Sequence, residues 1–450
     1  MTAPTTDTTA TATTGGSSVW PIATSRTEDG ALAIGGVPLP EIAAAYGTPT
    51  YVYDEATLRG NARAFRDAFT AAYPRSRVVF AGKAFLNTAL LQILHAEGLG
   101  LDVVSGGELF VGLHAGIPAP EISLHGNNKS REELRQAIEA GIGKIVVDTL
   151  HELDLLAELT RDLASPQTIL LRLNPGVDVH THAKISTGVA DSKFGFPVAG
   201  GQAEEAVRKA LAIPGVHLAG YHAHVGSQLF DPQATLDAIA EILAFARAMQ
   251  EAHGVTMEHL SPGGGFGIAY TDGDEPLPAI QWAQAIAEAV QAGCALHDLP
   301  LPTLTIEPGR AIVGPAGVAL YTVGGEKRLP GIRTYVSVDG GMADNIRPAL
   351  YGAAYTAALA NRDGGGERET VTIAGKYCES GDLLIEGIAL PPLRPGDLLA
   401  VPAAGAYCLA MASNYNCALR PAVVLVGDGR HRLIRRRETF ADLIRNDVLA

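Results

Sequence analysis

Cysteine is scarce. The 450 residues hold four, Cys294, Cys378, Cys408 and Cys417, and their spacing matches neither a disulfide framework nor a zinc-ligand pattern. A chain of this kind suits a reducing, cytoplasmic compartment. An excess of basic charge is missing too: 34 Lys and Arg stand against 48 Asp and Glu, for a net charge of −14. That balance argues against nucleic acid as the main partner, because phosphate backbones select a basic face. Residues 1–18 are rich in Thr, Ala, Gly and Ser, without a basic start or an apolar stretch. They read as a disordered tail rather than a leader or an anchor, and no membrane partner is expected.

What is present is an ordinary globular composition, 47% hydrophobic and 18% charged, in a chain long enough for two or three domains. From Arg77 to Glu307 one theme repeats: a short apolar or β-branched run, a loop, then a helical pattern. The runs are Val78–Ala81, Leu101–Val104, Glu121–His125, Lys144–Asp148, Thr168–Leu173, Leu218–Val225, Met257–Ser261 and Thr303–Glu307. Stretches such as Arg131–Ala140, Leu236–Gln250 and Ile280–Ala292 supply the helices between them. Strands alternating with helices imply parallel βαβ units, and eight of them predict a closed (β/α)8 TIM barrel over residues 54–310. Beyond Gly309 the texture changes to short strands separated by Gly- and Pro-rich turns, a mostly β C-terminal domain over 311–450. Ala31–Tyr53 reads as strand, short helix, strand, open to either unit by pattern, and the segment 19–53 is assigned to pack with the β domain.

A TIM barrel places its chemistry at the C-terminal ends of its strands. There the sequence puts Lys83, Asp102, His125, Arg172, His222 and His224, Ser227, the run Gly263-Gly264-Gly265, and Glu307-Pro308-Gly309-Arg310. Each signal has a plain reading beside a chemical one. A lysine after a strand is usually a solvated surface residue. The glycine run is either turn chemistry in a chain with 51 glycines or a loop whose bare N–H groups approach a phosphate. His222 and His224 are core histidines or, being two apart on a strand, a metal pair. Arg310 beside Glu307 makes a poor neighbour for a cation, which argues against a metal-dependent barrel hydrolase, and no metal is expected. A carboxylate buried at a strand end needs a partner. The ring nitrogen of pyridoxal phosphate is one, and that cofactor also needs a lysine for its Schiff base and a glycine-lined phosphate cup.

At this point the chain resembles the barrel-type pyridoxal-phosphate decarboxylases that act on ornithine, arginine and diaminopimelate, most of all the diaminopimelate branch, from about Val19 to the C-terminus. The matching motifs are Phe80-Ala-Gly-Lys83, the segment around Asp102, HGNNKS from His125, HAHVGSQ from His222, GGGFG from Gly263, EPGR from Glu307, NIRPALYG from Asn345, KYCESGD from Lys376 and MASNYN from Met411. The resemblance implies decarboxylation of meso-diaminopimelate to L-lysine. It implies that Lys83 carries the cofactor, that His224 stacks on its ring, and that Glu307 pairs with its ring nitrogen. Ser227, Gly264, Gly265, Pro308, Gly309 and Arg310 would surround the phosphate, with Asp102 and Arg172 close by. Arg310, Arg347 and Tyr351 would bind substrate, and Tyr407 would touch both substrate and cofactor. Cys378 and Glu379 would reach the partner's site in a homodimer with shared active sites, Cys378 returning a proton to the α-carbon.

Two departures flank the site: Phe80 and Phe85 stand where the family's lysine motif usually has Tyr and Asn, and Cys408-Leu409-Ala410 where it often has Gly-Tyr-Ser. Alternatives are a related decarboxylase acting on another diamino acid or a carboxylated polyamine, an alanine-racemase-like enzyme (disfavoured by Glu307), and a non-catalytic pyridoxal-phosphate carrier. The segment Ser192–Gly195 is expected to be either a lid or a plain surface loop.

Overall fold

The computed structural model describes residues 19–177 and 192–449. The expected tail at 1–18 lies outside them. All eight anticipated barrel strands form: Ser76–Ala81, Gly100–Val103, Ile122–Leu124, Lys144–Val147, Gln167–Asn174, Val216–His222, His259–Gly263 and Thr303–Ile306. They are parallel, and the sheet closes because the eighth strand pairs with the first, Leu304 opposite Ser76. The fifth strand pairs with both the fourth and the sixth. Closure leaves no strand edge in this ring to be covered.

The turns leaving the strands are fixed by caps written in the sequence. Asn87 accepts from the amides of Ala89 and Leu90 at the start of helix Thr88–Ala96. Ser105 accepts from Glu108 N–H at the start of Gly106–His114. Ser130 and Glu133 form a reciprocal capping box on Arg131–Ala140. A capped first turn satisfies amides that would otherwise have no partner. Because each cap follows a strand end, it also fixes the backbone at the rim where the candidate site residues sit.

The second sheet runs Leu383–Leu390, Glu369–Ala374, Arg333–Val338, Gly317–Leu329, Thr50–Asp54, Ala422–Gly427, Arg430–Arg435. Thr50–Asp54 precedes the barrel in the chain, yet it lies antiparallel to Gly317–Leu329 and parallel to Ala422–Gly427. Leu32, Ile34, Leu39, Ile42 and Val52 share one apolar cluster with Val318, Leu320, Val424 and Val426. Two strands of this sheet went unanticipated, for different physical reasons. Leu383–Leu390 is interrupted by Glu386-Gly387, with Gly387 at φ +67°. Arg430–Arg435 is a charged edge strand, and edges keep charge to block further pairing.

The β domain meets the barrel beside Lys83. Tyr407 N–H donates to Ala84 O at 2.8 Å, and the Tyr53 hydroxyl donates to Gly405 O at 2.6 Å. Tyr53 also stacks on Phe85, with centroids 5.0 Å apart and planes 10° from parallel. The unusual Phe85 therefore seals this junction. Tyr407 holds a φ of +61°, a conformation that L side chains adopt at a cost, and its bond to Ala84 keeps it there.

Candidate active site

Lys83 lies in a short turn, Gly82–Ala84, just past the first barrel strand, with its side chain exposed. It faces a cavity of about 1010 Å³ at the C-terminal rim. The second strand gives this cavity Asp102, the third His125 and the fifth Arg172. The sixth gives His222, His224 and then Ser227, and the eighth Glu307 and Arg310. The β domain completes the wall with Arg347, Tyr351 and Tyr407. A smaller recess shares Lys83, His224, Ser227, Glu307, Arg310 and Tyr407 with it and adds Gly265 and Gly309.

Glu307 is the acceptor at the centre of a buried cluster. Ser261 Oγ donates to its Oε1 at 2.7 Å, and His222 Nε2 lies 3.1 Å from its Oε2. Burial works against the charge, but the His222 and His125 imidazoles and the bonds from His222 and Ser261 outweigh it, holding the carboxyl well below its usual range. Asp102 goes the other way: burial and then the nearby Glu307 charge push it well above the carboxylate range, despite Lys83 and Arg172. The two carboxyls of one wall are thus driven in opposite directions, the pattern that acid–base sites use. His224 is driven down to about 3 by burial and then by the charges of Lys83 and Arg172, and is neutral. Burial also lowers His125.

The sixth strand ends at His222, so His224 does not join it as a metal pair on one face. His224 Nδ1 instead accepts from Gly264 N–H at 3.4 Å. The donor atoms of His125, His222 and Glu307 do lie within 4.8 Å of one another, and the bonds just described already tie His222 to Glu307.

The glycine run is demanded by packing. A Cβ on Gly264 would come 2.1 Å from Glu307 O, and one on Gly265, at φ +98°, would come 2.5 Å from Gly226 O. The loops after strands six, seven and eight therefore nest backbone to backbone. Gly264 and Pro308 help build this nest, Pro308 O accepting from Ala81 N–H at 3.1 Å, but neither is in the wall of the cavity or its recess.

Arg310 donates to the Tyr270 hydroxyl and, at 2.9 Å, to Ser227 Oγ. Arg347 is buried. It donates to the Tyr355 hydroxyl, and its guanidinium lies 4.6 Å from the Tyr270 ring centroid. Tyr270 and Tyr355 pack edge to face at 5.3 Å. Sequence reading missed both tyrosines. Neither is in a position that spacing marks, although Tyr270 follows GGGFG closely. Phe194 of the Ser192–Gly195 segment lines the cavity, 4.5 Å beneath the Arg172 guanidinium, and Gly195 N–H donates to Asp148 at 2.6 Å.

Cys378 and Glu379 are not brought to this wall. Both are exposed; Cys378 N–H donates to Asn416 at 3.0 Å, and the Tyr415 hydroxyl donates to Glu379 at 2.6 Å.

The wall fits pyridoxal phosphate by the chemistry of its donors: an accessible amine and a buried carboxyl in one lining, with a hydroxyl, a guanidinium and close-nested glycine turns beside them. Comparison with known proteins agrees. Residues 56–314 match the family model for the pyridoxal-binding domain of pyridoxal-dependent decarboxylases. A diaminopimelate decarboxylase of Bacillus subtilis is 49% identical over 423 residues, covering 94% of this chain and 96% of the relative. The crystal structure of diaminopimelate decarboxylase from M. jannaschii superposes with a TM-score of 0.89 at 35% identity, covering 95% of this chain and 98% of that one. The same enzyme in co-complex with L-lysine gives 0.88 at 34% identity, with the same coverage. From barrel, wall and relatives together, the chain belongs to the pyridoxal-dependent decarboxylases and, within them, to the diaminopimelate decarboxylase family.

Proposed function

We propose that the chain removes CO₂ from meso-diaminopimelate and leaves L-lysine, using pyridoxal phosphate at the barrel rim. The observation that carries this reading is that Arg310 and Arg347 share one wall with Lys83 and Glu307. Diaminopimelate keeps a carboxylate at the end that does not react, and a guanidinium fork suits it. Ornithine, lysine and arginine lack that second carboxylate and end in a cation alone, which leaves the arginines without a counter-charge. The L-lysine in the M. jannaschii complex fits the product side of the same reading.

Bound pyridoxal phosphate supplies an electron sink for the bonding pair released with CO₂. Lys83 Nζ is the amine that would hold it. The Glu307 carboxyl, drawn below its usual range by its neighbours, would pair with the ring nitrogen and favour its protonated form. Neutral His224 offers an uncharged ring to lie against the cofactor. Ser227 Oγ and Arg310, with the turns at Gly265 and Gly309, would take the phosphate, Gly264 and Pro308 shaping those turns from behind, while Asp102 and Arg172 would flank the site. Arg347, Tyr351 and Tyr407 orient the substrate, with Arg310 between them and the cofactor.

Cys378 Sγ and Glu379 lie off their own chain's cavity, which supports a homodimer in which they complete the site of a second copy. There the Cys378 thiol returns a proton to the α-carbon and Glu379 takes the distal ammonium. The four free cysteines fit a cytoplasmic location, and no helix among the described residues is long and apolar enough to cross a membrane.

The test is product analysis: holoenzyme given meso-diaminopimelate should release CO₂ and L-lysine in equal amounts. CO₂ without lysine, or neither, would refute the assignment.

A further inference from the structure

A second cavity, of about 460 Å³, opens where the barrel strands begin, at the end opposite the catalytic rim. Its wall holds four cationic side chains, Arg66, Arg75, Arg77 and Lys144, against a single carboxylate, Glu121. In a chain of net charge −14, four cations against one carboxylate is a local excess of positive charge.

The partners of these groups are unevenly distributed. Arg66 is engaged by Asp67 at 2.7 Å and by Glu97 O at 2.8 Å, and Arg75 donates to Leu301 O at 2.7 Å. Glu121 lies 3.5 Å from His95. Arg77 and Lys144 have no hydrogen-bond or ion-pair partner among the described residues. Ser76 Oγ, on the same strand as Arg77, is buried and also lacks one. The remaining titratable groups nearby do not relieve the two cations. His259 is driven down to about 4 by burial and then by the Lys144 charge, and Glu258 is paired with His217 at 3.0 Å. Burial, and then the Arg77 charge, push the Lys144 ammonium down. A half-buried cation beside another cation, neither of them paired, is an arrangement that an incoming anion would stabilise.

We propose that this cavity is a binding site for a small multivalent oxyanion, a phosphate or a polycarboxylate, held between Arg77 and Lys144. Occupancy stabilises the folded barrel by mass action and leaves the catalytic rim free. The inference does not depend on which substrate the rim takes.

The experiment uses holoenzyme, so that the cofactor's own phosphate already fills the cup at the rim. Isothermal titration with inorganic phosphate and, separately, with citrate is run at constant ionic strength against a chloride control. Saturable binding is expected for at least one of them, weakened about tenfold or more in Arg77→Ala and in Lys144→Met. Binding of phosphate alone would identify the tetrahedral anion, and binding of citrate alone the polycarboxylate. Arg77 is exposed, so its variant keeps the fold even if Lys144→Met does not. Neither anion binding above the chloride control, or unchanged affinity in Arg77→Ala, would overturn the proposal.

Discussion

Asp102 and Glu307 face one cavity, and their surroundings drive them apart: Asp102 toward its acid form, Glu307 toward its carboxylate. The difference lies first in charge: the His222 and His125 imidazoles draw Glu307 down, whereas burial and the Glu307 charge push Asp102 up. Glu307 receives Ser261 and lies beside His222, while Asp102 Oδ1 has no hydrogen-bond partner. The same dependence on a second layer holds for substrate recognition. Arg347 is aimed by the Tyr355 hydroxyl, which in turn lies 3.5 Å from Cys408 Sγ, one of the residues that departs from the family's usual motif. Tyr355 touches neither cofactor nor substrate in this account, so it acts by positioning Arg347. Tyr355→Phe should raise KM for meso-diaminopimelate by about tenfold with kcat nearly unchanged, the signature of lost uniform binding. A fall in kcat at constant KM, read from steady-state kinetics, would place Tyr355 in the chemistry instead.

At the scale of elements, the rim is held by caps and by one buried ion pair. Lys129, in the loop after the third strand, reaches Glu152 at 2.8 Å and also donates to Gly126 O at 2.8 Å and Val146 O at 2.6 Å. Both partners are almost wholly buried. Lys129→Met would leave the Glu152 charge without its counter-ion, so a stability loss of about 3–5 kcal/mol is expected in denaturant unfolding. A loss below about 1 kcal/mol would show that the loop is held by its backbone alone. Here the limits of sequence reading are visible. The barrel strands were legible because each is a β-branched run bounded by a helical pattern. The caps and Lys129 sat inside recognisable motifs, but their purely structural role follows only from the packing. Leu383–Leu390 and Arg430–Arg435 were lost because a glycine and a charged edge hide the alternation that marks a strand.

The whole molecule joins two distant parts of the chain. Thr50–Asp54 is sequestered into the C-terminal sheet, and Tyr407 is carried back to Lys83 by its bond to Ala84. The motifs named the candidate residues, but not that Tyr270 and Tyr355 pack against the arginines, since that requires two domains to close on each other. Nor does one chain bring every motif to one place: Cys378 and Glu379 remain outside the wall. If a second copy supplies them, Lys83→Ala and Cys378→Ala proteins, each inactive alone, should recover about a quarter of wild-type activity when mixed under subunit exchange, because half the dimers then carry one intact site. No recovery, with exchange verified by mass, would confine each site to a single chain.

The central claim is that two arginines in the wall of the cavity choose the substrate. Measuring kcat/KM for meso-diaminopimelate, ornithine, arginine and L-lysine side by side on the same holoenzyme tests it most directly. The account predicts CO₂ from meso-diaminopimelate at a preference of about a thousandfold or more over the others. Comparable CO₂ release from ornithine or L-lysine would contradict it.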